Sequence, residues 1–335
     1  MRSLIAGAAV LLALSGCTSG GTVAAPRVTT TVTATVTVTA APSAAETPSA
    51  LPQPSRAAVP AATFAAKPVV APDGRRCPDH PTPACTGLPP GTKLTTLAPN
   101  DGPAHKVETQ GAVLDGVHVT GDLLIAADDV KIVNSRIDGA IMAQFDDRHY
   151  IYSISDSTVG PEKGCLTVPA IGAANYTAER VQVRGHADAF RDSGDSIVIK
   201  DSYARLCSDG DKNYSDGIQS FHGGRGLLFD HNTLDMRDVQ AYNAPIFFND
   251  REDDGTRDVT ITNNLVMGGN FTIQLHNIQG YLIVKNNLVV DGTWEFAPIS
   301  GDCRKSIQFE DNFIVRIDDD YRVTSIARPL TCNGK

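Results

Sequence analysis

Val130-Lys131-Ile132-Val133-Asn134-Ser135-Arg136-Ile137 is the stretch on which the fold turns. Val130 and Ile132 flank Lys131 at period two, as in a strand with one buried face. Asn134-Ser135 then supplies turn chemistry, and Arg136-Ile137 resumes the alternation. The same phrase returns as Ile151-Tyr152-Ser153-Ile154-Ser155-Asp156-Ser157-Thr158-Val159, and further copies centre on Arg180, Asp201, His231, Asn263, Asn286 and Asp311. With Asn134 and Asp156 as the first two, the eight centres lie 22, 24, 21, 30, 32, 23 and 25 residues apart.

A recurring period of this length signals a repeat architecture. It holds three short strands and three turns, which is one coil of a parallel β-helix. Leucine-rich repeats share the spacing, but their leucine-and-asparagine consensus is absent, and a propeller blade needs about twice the length. The expected fold is all-β, a single-stranded right-handed parallel β-helix. Asn232, Asn264, Asn287 and Asn312 follow four successive centres and should stack. Asparagine tolerates a left-handed backbone and its amide can bond to the next copy, so this ladder is read as structural, not catalytic.

The repeats run from Val107 to Asp318. Before them, Asp73–Gly102 is rich in proline and glycine and is expected to cover the open end of the first coil, whose bare strand edges invite aggregation. The folded domain is therefore placed at residues 73–335, with its cap at about 73–106. Residues 18–72 are dominated by Thr, Val, Ala, Pro and Ser and read as a disordered tether. Residues 1–17 read as a signal peptide, with Arg2 as the positive region and Leu4–Leu14 as an apolar stretch too short to span a bilayer. Leu14-Ser15-Gly16-Cys17 resembles the lipobox of bacterial lipoproteins. That resemblance implies lipidation at Cys17, with the chain anchored to the outer face of the cell membrane.

The whole-chain charge of −9 divides into +3 over residues 1–72 and −12 over residues 73–335. An acidic domain argues against nucleic acid as a partner, because phosphate binding needs a basic surface. Divalent cations and neutral sugars remain compatible with it. Cys77, Cys85, Cys165, Cys207, Cys303 and Cys332 form an even set, which outside the cell favours disulfides. Cys77–Cys85 is the expected short loop, Cys303–Cys332 would pin the C-terminus, and Cys165–Cys207 remains. A zinc site would need ligand spacing that these residues lack.

The repeat, the asparagine ladder and the export signal together resemble the pectate-lyase-like superfamily of right-handed β-helices. More narrowly, the chain is similar to secreted actinobacterial β-helix proteins, through Gly111-Ala112-Val113-Leu114-Asp115-Gly116, His186-Ala187-Asp188 and Ser215-Asp216-Gly217-Ile218-Gln219. The resemblance covers roughly residues 90–320 and implies a polysaccharide partner. The superfamily holds lyases, hydrolases, epimerases and proteins without known chemistry, so the reaction must be argued from the site.

The two longest spacings are adjacent, and the extra residues fall at Leu206–Ser215 and Met236–Asn243, flanking one strip. Loops on a rigid scaffold are where sites collect. If Phe190, Ile218, Ile246 and Ile273 point inward at equivalent positions, then Arg191, Gln219, Phe247 and Gln274 form an outward row. Asp188 and Asp216 fall two residues before the inward positions Phe190 and Ile218, and Phe221, Asn249 and His276 form a second row, with His222 and Asp250 just beyond. Neighbouring aspartates are read in three ways. Bare, they form an acid/base pair. Bridged by Ca2+, with Asp250 nearby, they neutralise a uronate carboxylate. As structural groups, they cap turns with Arg191 as ion partner.

The expected function is therefore a polysaccharide-active protein, first a lyase acting on uronate glycan by β-elimination. Asp188, Arg191, Asp216, His222 and His276 are its candidate catalytic residues, and Gln219, Phe247, Asn249 and Gln274 its substrate-binding residues. A hydrolase using the two aspartates is the nearer alternative, and a non-catalytic glycan-binding protein the more distant one. A monomer is expected. Asp250–Gly255 and Asp318–Asp320 read as solvated surface, His231 as a turn residue, and Trp294 as either a sugar platform or a cap.

Overall fold

The computed structural model describes residues 67–145, 148–208, 210, 214–220, 223–240, 242–248, 256–301 and 308–332. Within them each repeat phrase contributes one strand before its centre and one after it, and most coils are completed by a third strand, or in one coil by the single bridge at Ile171. Stacked coils produce three faces, so the fold is an all-β parallel β-helix. Among the described residues, nine parallel strands from Val113–Asp115 to Gln308–Glu310 make one face, and eleven from Thr95–Leu97 to Val323–Pro329, all parallel but the last, make the second. The third face comprises His105–Val107, Leu123–Ile125 and Ile141–Met142, then five strands from Phe190–Asp192 to Ala297–Gly301. Ile171 bridges the two groups by pairing with both Ile141 and Phe190.

Period-two alternation fills the interior with aligned rows. Leu123, Ile141, Ile171, Phe190, Ile218, Ile246, Ile273 and Ile299 follow one another along the third face, and all are buried. Val119, Ile137, Val159, Val183, Ala204 and Leu234 form the matching row of the eleven-stranded face. Each row removes apolar surface from water at every coil, which is the dominant stabilising term.

The turn between the nine- and eleven-stranded faces carries the repeat centres. All eight have left-handed backbone, with φ between +47° and +58°. The left-handed residue is thus the centre itself, not the asparagine that follows it. The asparagine holds the next coil instead. Asn264 Oδ1 accepts the Asn232 backbone N–H at 2.9 Å, Asn287 Oδ1 that of Asn264 at 3.1 Å, and Asn312 Oδ1 that of Asn287 at 2.9 Å. The amide nitrogen of Asn264 donates to Phe229 O at 2.9 Å. Serine continues the ladder: Ser202 Oγ accepts the Val181 N–H, and Ser157 Oγ accepts that of Ser135. Every rung satisfies backbone groups that coil stacking buries.

Residues 67–88 do not lie over the end of the first coil. They run along this turn as a strap. Lys67 pairs with Asp230 at 2.9 Å, Asp79 O faces His231 Nε2 at 2.9 Å, and the Gly87 N–H donates to Arg180 O at 2.8 Å. Gly87 is required by close approach, since a Cβ there would sit 2.7 Å from Thr158 Oγ1 and Gln182 Cβ. The physical reason for this course is polarity. Repeat-turn side chains and carbonyls offer the strap partners, which the apolar coil end does not. His231 accordingly serves the turn, its Nδ1 facing Asp201 Oδ1 at 2.6 Å.

Cys77–Cys85, the expected short loop, and Cys165–Cys207, the pair left over in the sequence reading, are disulfides. Cys332 is disulfide-bonded, and Cys303 lies outside the described residues. These bonds imply folding in an oxidising, extracytoplasmic compartment. At the C-terminus, Phe313–Ile317 and Val323–Pro329 pair antiparallel and close one edge of the eleven-stranded sheet. Trp294 packs against the core with Arg328 over its ring.

Candidate functional site

The third face is entered through the long connections after Tyr203–Arg205 and Thr233–Asp235, the flanks expected from the spacing. Its register is the expected one. Phe190 pairs with Ile218, Ile218 with Ile246 and Ile246 with Ile273, so Arg191, Gln219, Phe247 and Gln274 occupy one outward row. Asp188 and Asp216 stand just upstream in neighbouring coils.

The two aspartates are joined through the backbone. Asp188 Oδ1 accepts the Asp216 N–H at 2.9 Å, and Asp216 Oδ1 accepts the Ala244 N–H at 3.1 Å. The motif repeats the asparagine ladder on another edge of the coil, now with ionisable groups. The second oxygen of Asp216 takes the Gln219 amide at 2.7 Å and the Asn243 amide at 3.2 Å. Gln219 in turn accepts from Arg191 Nη2, which lies 3.9 Å from Asp188 Oδ2. The result is a chain of contacts running Asn243, Asp216, Gln219, Arg191, Asp188.

Burial sets the electrostatics. Asp216 is 0% exposed and Asp188 6%. Burial pushes Asp188 up to about 6, against the Asp216 N–H and the Arg191 charge, which pull it down. Asp216 is pushed up to about 7 by burial first and the Asp188 charge second, with its three hydrogen bonds opposing. Two like charges one coil apart resist ionising together, so the pair titrates in the range where an acid/base group works.

The other sequence candidates are placed differently. Gln219 is buried with both amide ends engaged, so it holds the charged groups in position instead of meeting a ligand. Phe247 and Gln274 are half-buried in the outward row. His276 lies three coils from Asp188, about 14 Å at the usual strand spacing, and faces Ser300 Oγ at 3.4 Å. It does not meet Asp188 and Arg191 at one reacting atom. His222, Asn249 and Asp250 lie outside the described residues. His186, in the quoted His186-Ala187-Asp188 motif, is fully buried between Val168 O and Gly139 O, and burial lowers its pKa.

Asp188 and Asp216 do not fit a calcium cradle. Calcium takes six to eight oxygen ligands. Asp216 is enclosed and saturated with N–H donors, while a guanidinium stands beside Asp188. Among the described residues, no group of three or more His, Cys, Asp or Glu side chains has metal-holding geometry. Asn243 was missed as a site residue; its signal was its position at the end of the second protruding loop. Compared with models of known families, with curated proteins and with solved structures, the chain has no match.

Proposed function

We infer that the protein is an extracytoplasmic, polysaccharide-active member of the pectate-lyase-like β-helices that cleaves a uronate-containing glycan by β-elimination on the third face. The observation that carries this reading is a buried carboxylate standing 3.9 Å from a guanidinium on a strip flanked by long loops, where burial raises its pKa. Arg191 would neutralise the sugar carboxylate and so acidify the C5 proton. Asp188 Oδ2, made more basic by burial, would take that proton. The C–H electron pair becomes the C4=C5 double bond as the C4–O bond breaks, and the departing oxygen takes a proton from water. Asp216 and Gln219 are positioning residues, fixing Asp188 through its other oxygen and Arg191 through its guanidinium. A two-aspartate hydrolase is less well supported, because Asp216 is enclosed. Lipid anchoring at Cys17 and the tether over residues 18–72 belong to the same proposal: they would hold the domain outside the membrane.

A second reading is favoured by one observation. Both Oδ1 atoms cap the backbone as the asparagines do, which is what a glycan-binding protein without chemistry would show. Incubating the protein with a panel of acidic and neutral polysaccharides separates these readings, following ultraviolet absorbance of unsaturated products together with new reducing ends. Both signals rising, without added calcium, support the lyase. Reducing ends alone would indicate a hydrolase, and binding without product would leave the non-catalytic protein.

A further inference from the structure

The outward row of the third face continues beyond Arg191. Ile141 pairs with Ile171 and Ile171 with Phe190, which places Met142, Gly172 and Arg191 in consecutive outward positions. Gly172 is thus a gap in a row of side chains. Its φ is not left-handed, and an added Cβ would meet Arg191 Cβ at 3.3 Å. The gap opens a cavity of about 250 Å3 walled by Met142, Val168, Pro169 and Ala173, with Arg191 on one side. Met142 and Val168 are 40% and 46% exposed, a substantial apolar surface left open beside a single positive charge.

We propose that this cavity binds a small apolar group carried next to a carboxylate, an acyl or aryl substituent whose neighbouring anion pairs with Arg191. The proposal rests on the reading of the third face as a uronate site and names the decoration of that substrate. A sugar ring clothed in hydroxyls is a poor occupant, because the walls offer its donors few partners and unpaired polar groups are costly to bury. Size agrees, since an apolar cavity of roughly 150 Å3 takes a benzene ring. Here one ring or a short acyl chain fits, with the anion at the Arg191 wall. The anion selects against neutral apolar molecules of the same volume.

The test uses the whole protein and two variants, Val168→Trp and Gly172→Val, which narrow the cavity from opposite sides, the first without touching Asp188 or Arg191 and the second pressing on Arg191 Cβ. Benzoate is titrated by calorimetry, with toluene as the neutral control. O-acetylated pectin and the same pectin after alkaline de-acetylation are titrated in parallel. Benzoate binding that falls at least tenfold in both variants, with toluene binding more weakly, is expected. An O-acetylated pectin preferred several-fold over its de-acetylated form, with that preference lost in the variants, assigns the group to the glycan. Benzoate binding without such a preference assigns the cavity to a free carboxylic acid. Val168→Trp decides the matter on its own if Gly172→Val fails to fold. Absence of benzoate binding, or equal binding by the filled variants, overturns the proposal whether or not the protein depolymerises a glycan. Benzoate binding in a protein that cleaves nothing would instead overturn the lyase reading and leave the cavity standing.

Discussion

Asp188 links the scaffold to the chemistry, and two substitutions separate its roles. Its folded pKa of about 6 lies above the ordinary 3.8 because burial disfavours the charge. A carboxyl raised on folding contributes stability that is fully present below the unfolded pKa and lost as pH climbs through the folded one. The window is therefore pH 4 to 6, and a shift of about two units corresponds to a loss of about 3 kcal/mol. Asp216, raised to about 7, extends the decline by one further unit. Asp188→Asn keeps an oxygen for the Asp216 N–H and removes the charge. It should match the parent near pH 4 and exceed it above pH 6 by up to about 3 kcal/mol, or some 6–12 °C in Tm. Asp188→Ala removes the charge and also orphans a buried N–H, which costs about 1–3 kcal/mol relative to Asp188→Asn. Thermal unfolding of the three proteins between pH 4 and 8 measures both terms. A parent whose stability rises or stays level across that window, or two variants that unfold alike, would refute the reasoning.

The asparagine ladder predicts that Asn264→Ala removes the side-chain partners of two buried backbone groups, the Asn232 N–H and Phe229 O, at a cost of up to about 6 kcal/mol. Chemical denaturation would show this as a lowered midpoint; a change below 1 kcal/mol would mean that the rungs are replaceable by water. Removing Cys165–Cys207 by paired serine substitution releases a 42-residue loop and should cost about 4 kcal/mol, against about 2.5 for the eight-residue Cys77–Cys85 loop. The reverse order of the two losses, measured by the same unfolding assay, would show that local packing outweighs chain entropy.

How much of this was legible in the sequence depended on the range of the contacts. Asn134, Asp156 and Asn263 marked their turns by residue type and the period between them gave the coil, but the left-handed residue was read one position too late. Phe190, Ile218, Ile246 and Ile273 gave the register because strand alternation leaves only two choices and one buries the isoleucines. The strap was not legible. Asp79 meets His231 across 152 positions, and no local pattern encodes that approach. The Gly172 gap was hidden because its coil crosses the third face through a single bridge at Ile171, with no alternation to place it in a row. Gln219 was readable as outward but not as engaged, since its two partners come from different turns of the chain. Calcium at the aspartates was read from their adjacency and the uronate chemistry it would serve, whereas the backbone N–H groups and the Gln219 and Asn243 amides that meet their oxygens come from neighbouring turns.

The measurement that tests the central claim most directly compares the parent with Asp188→Asn on the polysaccharide that gives unsaturated product. Rates are read by ultraviolet absorbance from pH 4.5 to 8.5. The account predicts a parent rate that rises through pH about 6 as Asp188 ionises. It also predicts a loss of about 10²–10⁴-fold in Asp188→Asn, the usual worth of a positioned base, although the variant is the more stable protein. A variant that cleaves as fast as the parent, with the same pH profile, would contradict it and leave Asp188 as a rung of the scaffold.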